Sequence, residues 1–258
     1  MEVRAKKHLG QHFLIDLNIA NKIAQSLDSE SCKTTLEVGC GMGVLTQFLL
    51  QRDDIELYGA EIDKESISYL NEHYPDFKPR LFDGDFLKMD LQTLFPGGLC
   101  VIGNFPYNIS SQIFFKVIEN RDLVPQVVGM IQKEVAERIA EPPGSKLYGI
   151  LSVFLQAWYD IEYLFTVHEN VFNPPPKVKS AVIKLTRNTT KDIDCDEKLF
   201  IKVVKASFGQ RRKMLRNSLR SVFGDFGGAE HRFFTDRAER LSVEDFVELT
   251  NWVEKNVI

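Results

Sequence analysis

Short apolar runs that read as buried strands alternate with helical patterns along the first half of this chain, and that alternation limits its fold more than any other feature. The runs are TTLEVG (Thr34 to Gly39), IELYGAEI (Ile55 to Ile62), a short segment around Arg80 to Phe82, LCVIGN (Leu99 to Asn104) and PQVVGMI (Pro125 to Ile131). Between several of them, Val44 to Gln51, Lys64 to Glu72 and Ser110 to Glu119 carry helical patterns, as does Leu17 to Leu27 ahead of the first run. Strands separated by helices pair in parallel through crossovers, so the pattern predicts an α/β fold whose sheet is parallel and covered on both faces. After a further helical stretch, Tyr148 to Trp158, the runs IEYLFTV and SAVIKLTR flank the proline-rich FNPPPKV and complete a seven-stranded sheet. The polar segment NTTKDIDCDEK reads as a linker. Beyond it, Lys198 to Phe223 and Val243 to Val257 show helical spacing only, which predicts a small C-terminal all-α domain. The expected domains are residues 1–188 and 189–258.

The chain has 258 residues, 44% hydrophobic and 26% charged, which suits one α/β core with a smaller appendage. No apolar run approaches the ~18 residues that span a bilayer, and the opening MEVRAKKHLGQHF is basic and polar, so a cytoplasmic protein is expected. Cys32, Cys40, Cys100 and Cys195 never pair as CxxC, and neither a zinc site nor a disulfide framework is expected. The net charge of −4 argues against a polyanionic partner until its distribution is considered. Lys198 to Gly224 holds eight basic residues and no acid. The mean charge conceals a basic stripe.

The first strand runs directly into CGMG, so Gly39, Gly41 and Gly43 form a GxGxG turn where a ligand can approach the backbone closely. About 20 residues on, Glu61 ends the second strand, where a carboxylate can accept both hydroxyls of a ribose. Together these point to a nucleoside cofactor. The third glycine comes one residue earlier than in the GxGxxG of dinucleotide dehydrogenases. Asp85, after the third strand, can accept a hydrogen bond from an adenine amine; the neighbouring Asp83 reads as a solvated turn residue.

Asn104 closes the next strand at the carboxyl edge of the predicted sheet, where open α/β sheets hold their ligands. The exocyclic amine of adenine is a poor nucleophile because its lone pair is delocalised into the ring. An enzyme that alkylates it needs acceptors holding both N–H bonds out of that conjugation. Asn104 offers its side-chain oxygen, and Phe105 offers a carbonyl whose orientation Pro106 restricts. Tyr107 offers a face on which a flipped base can stack.

With these motifs in place, the chain resembles the small-subunit ribosomal RNA adenine N6-dimethyltransferase family. The resemblance covers nearly the whole chain and rests on KKHLGQHFLID, LEVGCGMGVLT, GAEID, GDFL, GNFPYNIS, QKEVAERI, FNPPPKVKSAV, FGQRRKMLRNSL and RAERLSVEDF. It implies a Rossmann-like class I methyltransferase sheet, S-adenosyl-L-methionine as cofactor and no metal. The implied activity is dimethylation of two adjacent adenosines in a hairpin near the 3′ end of small-subunit rRNA, in support of ribosome biogenesis. By resemblance, the cofactor touches His12, Leu14, Gly39, Glu61, Asp85 and Asn104, with Gly41 in the same loop, and Phe172 clamps the adenine opposite Tyr107. Family members often carry asparagine at His12 and NLPY in place of NFPY.

For RNA, the candidates are Lys133 and Arg138 in QKEVAERI and the cluster Arg211, Arg212, Lys213, Arg216 and Arg220. In a continuous helix, Arg212, Arg216 and Arg220 share one face that can track phosphates. The expected partners are the small ribosomal subunit and its rRNA, with no membrane and a monomeric protein. Two other functions share much of this pattern: the large-subunit rRNA methyltransferase of macrolide resistance, and a non-catalytic RNA-binding assembly factor. FGQRRKMLRNSL and RAERLSVEDF oppose the first, and the set Glu61, Asp85 and Asn104 opposes the second.

Overall fold

In the computed structural model, which describes residues 3–31 and 33–257, the chain opens with a two-residue strand β1 (Phe13–Leu14) and helix α1 (Leu17–Gln25). Asp16 starts α1 by accepting from the backbone N–H groups of Asn18 and Ile19 at 2.9 and 3.0 Å, which satisfies two of the donors that a helix start leaves unpaired. Then follow β2 (Thr34–Val38), α2 (Thr46–Leu49), β3 (Glu56–Glu61), α3 (Lys64–His73), β4 (Leu81–Asp83), α4 (Leu91–Leu94), β5 (Cys100–Asn104), α5 (Ser110–Glu119) and β6 (Gln126–Gln132). The remainder is α6 (Lys133–Ala140), α7 (Ile150–Trp158), β7 (Tyr159–Val167), β8 (Phe172–Asn173), β9 (Ser180–Arg187), α8 (Glu197–Gly209), α9 (Leu215–Phe223) and α10 (Val243–Val257).

Seven strands form one sheet in the order β4-β3-β2-β5-β6-β9-β7. Strands β2 to β6 pair in parallel, as expected, but β9 lies antiparallel to β6, from Gln126↔Thr186 to Gln132↔Ser180, so the sheet is mixed. No α-helix separates β7 from β9, and a return without a helical crossover permits antiparallel entry. The chain leaves β2 outward through β3 and β4 and comes back to β5 on β2's other side. That reversal opens a crevice at the carboxyl ends of β2 and β5, where Gly39 and Asn104 follow or close their strands.

The helix expected over Val44 to Gln51 shrinks to the four residues of α2. Gly41 and Gly43 hold φ of 55° and 79°, and the backbone after them mixes i→i−3 and i→i−4 bonds, Phe48 N–H to Leu45 O at 3.1 Å beside Gln47 N–H to Gly43 O at 3.0 Å. The helical stretch expected from Lys198 to Phe223 is broken into α8 and α9 by a turn at residues 210–214, where Lys213 N–H bonds to Gln210 O at 2.8 Å.

The chain divides into two compact units. One takes the chain up to Ala136 together with Asp160–Arg187; the other takes Glu137–Tyr159 and everything from Asn188 onward. The expected domains have a single break after residue 188, whereas Glu137–Tyr159 groups with the C-terminal helices because α7 packs on α8 and α10. Cys40 and Cys195 are free, while Cys100 is disulfide-bonded, which corrects the expectation drawn from CxxC spacing; Cys32 lies outside the described residues. Spacing along a chain detects local clusters and not cysteines that a fold brings together. Among the described residues, no helix is long and apolar enough to cross a membrane.

Candidate active site

The crevice at the β2 and β5 strand ends deepens into a cavity of about 190 Å³. His12, Gly39, Gly41, Glu61, Asp85 and Asn104 line it, with Phe105, Pro106 and Tyr107 on the same edge. The sheet therefore gathers residues from positions 12 to 107 in one place.

Glu61 ends β3 with only 5% of its surface exposed. Its Oε2 accepts from Gly41 N–H at 2.8 Å, and its Oε1 accepts from the N–H groups of Ile62 and Asp63 at 2.8 and 2.9 Å. Burial pushes this carboxyl above its usual range, and the three backbone donors pull against that shift. Two carboxylate oxygens have room for about four hydrogen bonds, so an acceptor site remains beside the glycine loop. Asp85 caps a short 3₁₀ turn through Leu87 N–H at 3.0 Å and adds a second carboxylate to the rim. Asp83 is paired with Lys64 at 2.6 Å, in keeping with an exposed turn.

Asn104 Nδ2 donates to the carbonyl of His12 at 3.0 Å. An amide whose nitrogen is committed on one side presents its oxygen on the other, so Oδ1 is the group left to accept a hydrogen bond. The side chain of Phe105, to which the motif alone assigns no role, is fully buried. Gly103 on β5 sits opposite Gly129 on β6, and the Phe105 ring fills the slot they leave: a Cβ would come within 3.0 Å of the ring at Gly103 and 2.5 Å at Gly129. Phe105 N–H bonds to Met130 O at 3.0 Å, so backbone and ring together fix this peptide. Tyr107 stacks on His12 with centroids 5.3 Å apart, and its hydroxyl bonds to Ser180.

Leu14 and Phe172 both lie on short strands outside the main sheet. They face each other in the β1–β8 pair, and both side chains are buried in the hydrophobic core, 4% and 2% exposed. The Phe172 ring, to which the resemblance assigns the clamp on the adenine, packs here within the core. In a strand, adjacent side chains point to opposite faces. Accordingly Phe13, one residue before Leu14, lines the cleft and lies against Gly41, and a ligand in the cleft can meet Leu14 only through its backbone.

Asp63, Lys6 and Glu37 support the cleft from outside its lining, and their motifs were visible in the sequence although their pairing was not. Asp63, 2% exposed, accepts from Lys6, from Gln11 at 3.2 Å and from Ser66 at 3.1 Å. Burial pushes the Asp63 carboxyl up, and the donors, Lys6 first, bring it below its usual range overall. These bonds pin the N-terminal arm, Lys6 to Phe13, along the cleft, and the arm supplies the His12 carbonyl that orients Asn104. Because the carboxyl is depressed, the anchor is intact above the ordinary aspartate range and fails as pH falls through its lowered value. Asp63→Asn removes the charge. Trypsin cleavage after Lys6 and Lys7 is expected to accelerate roughly tenfold at neutral pH, the scale of one lost charge-assisted bond in a local opening. An unchanged cleavage rate would show that the arm is held elsewhere. Below the glycine loop, Glu37 is 1% exposed, accepts from Thr46 Oγ1 at 2.7 Å, and has its carboxyl pushed up to about 8 by burial.

The expected RNA residues separate. Lys133 begins α6 and Arg138 lies toward its end, on opposite sides of the division after Ala136. Arg212 sits in the turn before α9 and shares no helix face with Arg216 and Arg220, which corrects the three-residue stripe. Arg216 pairs with Glu230 and Arg220 with Asp225, the latter at 2.5 Å. Arg211 donates to the carbonyls of Lys146 and Tyr148, the latter at 2.8 Å, whereas Arg212 and Lys213 are exposed.

A family model described as "Ribosomal RNA adenine dimethylase" matches residues 2–255. Proteins named ribosomal RNA small subunit methyltransferase A are 60% identical in Parabacteroides distasonis, over 99% of this chain and 96% of that protein, and 59% identical in Bacteroides thetaiotaomicron, over 98% and 95%. A crystal structure of a dimethyladenosine transferase from Plasmodium falciparum superposes with a TM-score of 0.79 at 26% identity, covering 96% of this chain and 99% of that one. The 23S rRNA methyltransferase ErmE, at 23% identity, TM-score 0.68 and coverage of 93% and 99%, shares the fold.

Proposed function

The chain belongs to the ribosomal RNA adenine dimethylase family, and from that premise we propose that its cleft dimethylates two adjacent adenosines in the 3′-terminal hairpin of 16S rRNA, supporting ribosome biogenesis. Dimethylation of small-subunit rRNA adenines, dependent on S-adenosylmethionine, is the activity of the chain. The choice of hairpin, a cytoplasmic location and a monomeric state are the finer parts of the proposal. The first unit serves the cofactor and the reacting base, and the second serves RNA.

The residues of the cleft fit the cofactor. Glu61 has acceptor capacity for ribose hydroxyls, Asp85 is placed on the rim for an adenine amine, and Ile62, Phe86 and Leu87 add apolar walls. At Gly39, with φ of 78°, an added Cβ would enter the space before the Asn104 carbonyl and Pro106, 3.8 and 3.9 Å away. Bound there, S-adenosylmethionine supplies an electrophilic sulfonium methyl.

Asn104 and its neighbours prepare the nucleophile. Asn104 Oδ1 and the Phe105 carbonyl accept the two N6–H bonds, which favours a lone pair localised on N6. Tyr107, tethered through Ser180, offers its ring to the base. The catalytic contribution is positioning and hydrogen bonding in a partly enclosed site, and no strong base is required. The observation that carries this reading is the Asn104 Nδ2 bond to the His12 carbonyl, which leaves Oδ1 as the acceptor at the cleft.

The test is transfer of labelled methyl groups from S-adenosylmethionine to purified small and large ribosomal subunits from cells that lack this modification. Label is expected in small-subunit RNA. Label confined to large-subunit RNA, or to neither, would overturn the proposal.

A further inference from the structure

The arginines of the C-terminal basic segment are largely engaged within the protein: Arg216 and Arg220 in ion pairs, Arg211 with main-chain carbonyls. A different set of cations forms no ion pair among the described residues. Lys198, Lys202 and Lys205 follow each other at intervals of four and three on α8, which places them along one face of that helix. All three are exposed, and among the described residues none has an ion-pair partner. Like charges at this spacing disfavour an isolated helix, so α8 keeps a repulsive stripe that its own fold does not neutralise.

The stripe borders a groove of about 540 Å³ between α8 and α9. Lys202 reaches across it, with its ammonium 4.8 Å from the centre of the Phe223 ring. Gln210 and Ser221 join the three lysines in the lining. Gln210 Oε1 is buried without a hydrogen-bond partner, and Ser221 Oγ donates its proton to the Ser218 carbonyl at 2.7 Å, which leaves it as an acceptor. A fitting ligand is therefore anionic and also carries hydroxyl donors. A ribose-phosphate backbone has both, since its phosphates pair with lysines and its 2′-hydroxyls can donate to the oxygens.

We propose that the α8–α9 groove, lined by Lys198, Lys202, Lys205, Gln210 and Ser221, is a binding site for the backbone of structured RNA. This deepens the reading of the chain as a small-subunit rRNA methyltransferase and rests on it. The groove, more than the paired Arg216 and Arg220, then carries the salt-sensitive part of binding. Replacing the lysines by neutral glutamine keeps helix propensity while removing charge.

The experiment measures affinity for purified small ribosomal subunits at a series of salt concentrations, for wild type, Lys202→Gln/Lys205→Gln and Arg216→Gln/Arg220→Gln. Each protein is first checked for an unchanged thermal midpoint and unchanged cofactor binding by calorimetry. The lysine pair is expected to weaken binding about tenfold at moderate salt and to make the plot of log affinity against log salt shallower by about 2, near one unit per lost phosphate contact. The arginine pair should bind within about threefold of wild type with an unaltered slope, as expected for charges already satisfied within the protein. Wild-type affinity and slope in the lysine pair would overturn the proposal, as would an equal loss in both variants. An RNA duplex and a DNA duplex of the same sequence test the hydroxyl contacts: the lysine effect with no preference of wild type for RNA would also overturn it. Methyl transfer is scored separately, so loss of the activity reading and loss of the groove reading give different results.

Discussion

Asn104→Ala is expected to lower single-turnover methylation of small subunits by roughly 10²- to 10³-fold, the range seen when one preorganised hydrogen-bonding group is removed from a reacting centre. Affinity for cofactor and for small subunits should stay within about tenfold, because the acceptor acts on the amine and not on the bulk of either ligand. The loss should therefore appear in kcat. Asn104→Asp separates two contributions of the same residue. It keeps acceptor oxygens for the amine but loses the Nδ2 donor to the His12 carbonyl, which then faces a second acceptor. Activity between that of wild type and Asn104→Ala is expected. Normal dimethylation by Asn104→Ala would remove Asn104 from the mechanism.

Glu61→Gln is the second large expected effect, and it falls on cofactor binding. All three donors to this side chain are backbone N–H groups, at 2.8, 2.8 and 2.9 Å, so both of its ends are required to accept. A glutamine must point its NH₂ at either Gly41 or the Ile62 and Asp63 pair, setting donor against donor in a site that is 5% exposed. The ribose hydroxyls also lose a charged acceptor, and hydrogen bonds to charged groups contribute about 1.5–3 kcal/mol. Calorimetric titration should show S-adenosylmethionine binding at least roughly tenfold weaker. A matched thermal melt without cofactor reads the structural share of the change. Unaltered affinity would place the ribose elsewhere.

The sheet and its functional edge were legible because both are written in local pattern. Apolar runs marked the strands, the GxGxG turn marked the end of β2, and Asn104 sits at the end of β5 as expected. Features that depend on register or on long-range pairing were not legible. Phe105 has a side-chain role only because Gly103 and Gly129 meet across β5 and β6. Leu14 and Phe13 differ by one position, and only the β1–β8 register decides which faces the core. The arginine stripe failed because the segment before α9 forms a turn in which helical spacing has no meaning. Likewise, Asp63 and Lys6 lie 57 positions apart, beyond the reach of any periodicity. Glu37 could have been found: an acid inside the apolar run that leads into the glycine loop is a buried polar group in need of a partner.

The central claim is chemical, that this cleft places two methyl groups on N6 of small-subunit rRNA adenosines. Nucleoside mass spectrometry answers it most directly, applied to small-subunit rRNA from cells lacking the modification after incubation with the protein and S-adenosylmethionine. N6,N6-dimethyladenosine is predicted, at two adjacent positions in the 3′-terminal hairpin. Monomethyladenosine as the only product at completion, or methylation on a different base, would contradict the account.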